Sequence, residues 1–221
     1  MFLNEFQLQK VLDTVSGKRP ADEVLIDMTD FLKTEFSLDI LDYICDSTSV
    51  AGDVTRQRVK IVVWDTEIKR SSQYDLDNDM TIKDRIKCRF SETCKEHHLN
   101  KQYYDPQSYF IVITDLKSDV SSFLIASKKE TLSSILESYP EVKKYNFGFT
   151  EVQVYYEKDS DIEAYRNSGL SQEITSKIQQ SLGVISGLED RNIVGVVFSS
   201  IQTFNDKYHG SDYAVFRNGL G

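Results

Sequence analysis

Residues 22–46, DEVLIDMTDFLKTEFSLDILDYICD, carry two superposed patterns, and their reading decides the fold. Val24, Leu25, Met28, Phe31 and Leu32 recur at three and four residues, the spacing of a helix that buries one apolar stripe. Glu23, Asp27 and Asp30 fall at i, i+4 and i+7 on the opposite face. Glu35, Asp39, Asp42 and Asp46 continue the same step. Asp22 and Glu23 occupy the first turn, where carboxylates suit the helix dipole. From Leu38 to Asp46 strand alternation and helical spacing both fit. The acids keep their three/four period, so the pattern predicts helix there too.

Upstream, Phe2, Leu3, Phe6, Leu8, Val11, Leu12 and Val15 give a helix over residues 2–16, which Gly17 stops. Gly17-Lys18-Arg19-Pro20 is a short connection. Downstream, Ser47–Asp53 is a loop by composition. Arg56–Thr66 reads as a strand with Arg56, Arg58, Lys60, Val62 and Trp64 on one face and Val59, Ile61 and Val63 on the other. Ser71–Asp79 is a polar loop. Met80–His98 is a helix that buries Ile82, Ile86, Phe90 and Cys94.

In the second half, Ser108–Thr114 has a buried-strand pattern, with Val120–Ala126 as its expected hairpin partner. Ser127 and Glu130 form an S-x-x-E capping box for a short helix ending before Pro140. Phe149–Glu157 alternates, with Val152, Val154 and Tyr156 expected inside and Glu151, Gln153, Tyr155 and Glu157 outside. Ser160–Asn167 and Ser171–Leu182 read as helices, Ile193–Phe204 as a long strand and Tyr213–Arg217 as a short last one. The expected class is α+β: a mixed or mostly antiparallel sheet of about six strands, interspersed helices and an N-terminal helical segment. The expected organisation is one domain over residues 1–221, with 1–46 as the helical segment and Leu99–Pro106 as the alternative boundary.

Apolar residues at 40% and charged residues at 28% of 221 describe a globular chain. The net charge of −9 is uneven: residues 1–55 carry 4 basic against 11 acidic side chains. Acidity argues against nucleic acid, where phosphate neutralisation supplies most of the affinity, and against anionic membranes. No apolar run approaches the roughly 20 residues that span a bilayer. Three cysteines, an odd number, give no disulfide framework. The expectation is a cytoplasmic protein of the bacterial type.

Catalytic signatures are missing: there is no G-x-S-x-G elbow, phosphate-binding glycine loop or H-E-x-x-H. Asp75-x-Asp77-x-Asp79 opens like a calcium loop, but Met80 and Ile86 stand where the glycine and the bidentate glutamate belong. Cys94, His97 and His98 are the candidate metal or thiol cluster, short of a second ligand pair. Lys83, Arg85, Lys87 and Arg89, two apart, scatter around a helix. Tyr155 beside Glu151, Gln153 and Glu157 would make a recognition face.

The acids Glu23, Asp27, Asp30, Glu35, Asp39, Asp42 and Asp46 are the candidate partner-binding residues. Like charges at i, i+4 cost a helix about 0.2–0.5 kcal/mol per pair, so something offsets them. Solvent screening and an internal partner, with Arg56, Arg58 and Lys60 facing the stripe, are two answers. A basic protein partner is the third. The expected function is therefore a non-enzymatic acidic binding module that takes up a basic partner, as small antidotes of basic nucleases do; that comparison is one of charge and size. No cofactor is expected. The alternatives are an enzyme or metal-dependent protein using Cys94, His97 and His98, and an oligomer paired through the edge strand Tyr213–Arg217.

Overall fold

A computed structural model gives the fold and describes residues 3–50, 54–64, 80–213 and 215. The acidic run Asp75–Asp79 lies outside them. The chain forms two compact units, Met1–Lys117 with Ser186–Leu188, and Ser118–Ile185 with Glu189–Gly221. The Leu99–Pro106 stretch lies inside the first. Among the described residues each unit has its own three-stranded sheet, so the six strands there do not form the single sheet that was expected.

In the first unit, helix α1 (Glu5–Val15) opens with a capping box: Asn4 accepts from the Gln7 backbone, and Gln7 accepts from the Asn4 backbone. Helix α2 (Glu23–Phe36) is capped by Asp22, which accepts from the Leu25 N–H at 2.8 Å. It stops at Ser37, whose φ of 53° is left-handed, and the Leu38 N–H turns back to the Leu32 carbonyl. The chain beyond cannot continue the helix. Leu38–Asp46 is accordingly not helical: strand β1 covers Ile40–Val50 and takes in Ser47–Val50, which read as loop.

Strand β2 (Val54–Val63) pairs antiparallel with β1, and β3 (Tyr109–Asp115) pairs parallel with β2. Between β2 and β3 come helix α3 (Met80–Glu96) and a 3₁₀ turn, Lys101–Tyr103. One sheet face carries Tyr43, Val59, Ile61, Val63, Ile111 and Ile113, and the apolar stripes of α2 and α3 cover it. Phe90 of α3 is the hub, edge-on to Tyr43, Tyr103 and Tyr109 at 5.4–5.9 Å. The other face is charged and lies under α1.

Helix α4 (Leu116–Glu137) opens at the end of the first unit and belongs to the second from Ser118 onward. Val120–Ala126 is thus helical, not a hairpin strand. Leu116, Val120, Leu124, Leu132 and Leu136 are buried at multiples of four, a stripe that a seven-residue window hides. Ser127 sits mid-helix and donates to the Leu124 carbonyl instead of capping. Strand β4 (Lys144–Phe147) pairs antiparallel with β5 (Glu151–Tyr156). Helices α5 (Asp159–Asn167) and α6 (Leu170–Leu182) then cross to β6 (Gly195–Ser200), parallel to β5.

The long strand expected over Ile193–Phe204 is cut by Ser200. Its hydroxyl accepts from the Thr203 N–H and starts helix α7 (Ile201–Tyr208). Asp212, Tyr213 and Val215 are helical, so the edge strand expected from Tyr213 is not formed among the described residues. Strand β5 is covered on both faces. Tyr155 is fully buried against Phe204, Tyr208 and Val215, and Gln153 is buried with it, so neither contributes to an outward recognition face.

Candidate functional site

Helices α2 and α3 present their charges to each other. Glu23 and Asp27, one turn apart on α2, hold the two ring nitrogens of His97, just past the end of α3. Nδ1 lies 2.9 Å from Glu23 Oε2, and Nε2 2.8 Å from Asp27 Oδ2. The Asp27 hydrogen bond raises the His97 pKa above the ordinary histidine value; desolvation opposes it and the Glu23 charge supports it. Arg89 lies 3.8 Å from Asp27 and 3.6 Å from Glu96. Arg85 pairs with Glu35 at the other end of the helices. Asp39 also has an internal partner. Asp30 is exposed and forms no ion pair among the described residues.

Asp42 and Asp46 belong to the charged sheet face under α1, not to a helical stripe. Ending α2 at Ser37 carries them onto β1, opposite Val62 and Arg58 of β2. Asp42, with a side chain 1% exposed, pairs with Arg19 and accepts from Thr14 Oγ1 at 2.9 Å and the Tyr43 N–H at 2.7 Å. Asp46 accepts two parallel bonds from Arg58 and a third from Gln7 at 2.8 Å. Lys60, almost wholly buried, donates to Gln7 Oε1 at 2.7 Å and lies 3.7 Å from Asp46. Asp42 is therefore an interior group, and Asp46, its side chain 18% exposed, is committed to Arg58, Gln7 and Lys60.

The candidate cluster Cys94, His97 and His98 does not assemble. Cys94 faces the core, where burial pushes its thiol up to about 11. His97 turns toward α2, and His98 sits exposed in a left-handed turn. Burial likewise pushes the Cys45 thiol up to about 12. Neither thiol is poised as a nucleophile, which needs the thiolate. What sequence reasoning missed is the role of Arg85 and Arg89. They are four residues apart, one helical turn, and this spacing was the available signal that they share a face.

The second unit holds a cleft of about 310 Å³ between α4 and the β4–β5 turn. Ser122, Ile125, Ala126 and Lys129 line one side; Phe147, Gly148 and Phe149 line the other. Ser122 donates to the Phe149 carbonyl at 3.1 Å, so its hydroxyl is engaged. Among the described residues the lining contains no histidine, carboxylate or thiol. It can hold an apolar group and offers no acid–base pair to act on one.

No helix among the described residues is long and apolar enough to cross a membrane. No protein-family model matches the chain, and neither a curated protein nor a solved structure matches it.

Proposed function

We propose that this protein is a non-enzymatic binding module whose partner is a basic protein segment, and that the partner docks on the exposed acids of α2. The observation that supports the reading is exposure: the Glu23 side chain is 69% exposed and Glu35 41%, with Asp30, between them in sequence, exposed as well. Exposed ion pairs add little net stability. An incoming arginine or lysine therefore exchanges for His97 or Arg85 at small cost. Asp42 and Asp46 drop out of the candidate surface because they are committed inside, and Asp27 is held at the helix–helix seam. Against catalysis stand the raised pKa values of the Cys45 and Cys94 thiols, the carboxylate-bound His97 and a cleft lined without an acid–base pair.

The test uses a fluorescein-labelled deca-arginine peptide and anisotropy at low ionic strength. A Glu23→Lys/Asp30→Lys/Glu35→Lys variant should weaken binding by about tenfold or more, and added salt should weaken the wild type. A control, Glu130→Lys/Glu163→Lys/Asp190→Lys, makes the same change in net charge on exposed residues of the second unit. If both variants weaken binding equally, attraction is a property of bulk charge and the docking surface is refuted.

A further inference from the structure

His97 has a neighbour that the pairing of α2 and α3 does not use. The Glu96 carboxylate, Asp27 and His97 offer three ligand atoms that all lie within 4.8 Å of one another. We propose that Asp27, Glu96 and His97 form a binding site for a divalent borderline metal ion of the Zn²⁺ class, with Glu23 as the residue that positions the histidine. This inference does not rest on the basic-partner reading.

The donor set selects the metal class. One imidazole nitrogen with two carboxylates suits Zn²⁺ or Co²⁺, whereas Mg²⁺ and Ca²⁺ prefer oxygen alone. The arrangement also has the outer partner that metal-binding histidines use. Glu23 Oε2 lies 2.9 Å from Nδ1, which fixes the ring and leaves Nε2 toward Asp27. That anchored nitrogen separates the site from a plain group of surface acids.

Two features serve the closure, and Arg89 works against it. The Glu96 side chain is 54% exposed and Asp27 34%, so both carboxylates can rotate inward to the roughly 2.0–2.2 Å that zinc requires. Three protein ligands leave a fourth position for water. Arg89, near both carboxylates, already answers the local negative charge. It opposes a second cation, so removing it strengthens the site.

Zn²⁺ alone is the probe, titrated against a chromophoric chelator in a Cys88→Ser background, because the exposed Cys88 thiol is a competing ligand. The expected result is one ion per chain. His97→Ala and Glu96→Gln should each weaken binding by about tenfold or more, Glu23→Gln by about tenfold through the outer shell, and Arg89→Met should tighten it. Co²⁺ should give the intense visible bands of a four-coordinate site, lost in His97→Ala. Circular dichroism checks that each variant folds, and Glu96→Gln, on an exposed side chain, carries the test if His97→Ala does not. Absence of stoichiometric binding, or binding unchanged in Glu96→Gln, overturns the proposal.

Discussion

Arg58 grips Asp46 with two parallel hydrogen bonds, Nε to Oδ1 and Nη2 to Oδ2, both 2.7 Å long. The pair spans β1 and β2 on a sheet face that α1 covers, and it is where most of the charge in this face is settled. Lys60 and Gln7 complete it: Gln7 donates to Asp46 and accepts from Lys60.

Removing one member leaves the others buried without their counter-charge. Asp46→Ala should destabilise the first unit by about 3–5 kcal/mol, the range for breaking a buried pair from one side. Replacing the set together, Asp46→Leu with Arg58→Met and Lys60→Met, should cost far less than the three single changes added up. Urea denaturation of the singles and the triple measures this. Additive losses would show that the charges are not coupled.

The same carboxylate sets a pH dependence. Burial alone would raise the Asp46 pKa; hydrogen bonds from Arg58 and Gln7 and the charges of Arg58 and Lys60 outweigh it, and the net displacement is downward. A folded pKa below the unfolded value of about 3.9 means that the native state holds the ionised form better. This stabilisation is complete above about pH 4 and is lost as pH falls through the lower folded value. The difference in urea midpoint between the wild type and Asp46→Asn should therefore shrink on acidification through that window. A difference that stays constant would refute the assignment.

Phe90 is fully buried at the meeting point of three tyrosine rings. Phe90→Ala should cost about 3–5 kcal/mol, combining lost transfer energy with the cavity left behind. Phe90→Leu, which keeps most of the volume, should cost less. Thermal unfolding followed by near-ultraviolet circular dichroism reads both the stability and the tyrosine packing.

Ser37 predicts a change of the opposite sign. Its φ of 53° at the end of α2 is unfavourable for a residue with a Cβ, and its backbone N–H already bonds the Lys33 carbonyl. Ser37→Gly keeps that bond and relieves the crowding, so it should stabilise the first unit by about 0.5–1 kcal/mol. A lower urea midpoint in this variant would show that the serine side chain contributes more than its conformation costs.

Much of the fold is legible along the chain because its signals are local. The stripes Val24–Met28–Leu32 and Ile82–Ile86–Phe90 are periodic over several turns, long enough to identify a helix and its buried face. The two faces of β2 are legible too, since Val59, Ile61 and Val63 fall on one face while Arg58 and Lys60 fall on the other. Short segments were not: Leu38–Asp46 and Val120–Ala126 fit strand and helix equally, and each resolved against its expected state. The candidate site suffered in the same way, because a helix carried through residue 46 would have aligned Asp42 and Asp46 with the outer acids.

The amino-acid order by itself determined the α+β class, the α2 and α3 core faces and the concentration of acid in the first quarter. Tertiary structure alone decided which acids are surface and which are interior. The left-handed turn at Ser37 moves Asp42 and Asp46 onto a strand, where Arg19, Arg58 and Lys60 reach them, while Arg85, Arg89 and His97 meet their acids from fifty or more residues along the chain. Periodicity reports what lies within a turn or two of chain. The partner of a charge is set by the packing of distant elements, and no local spacing encodes it.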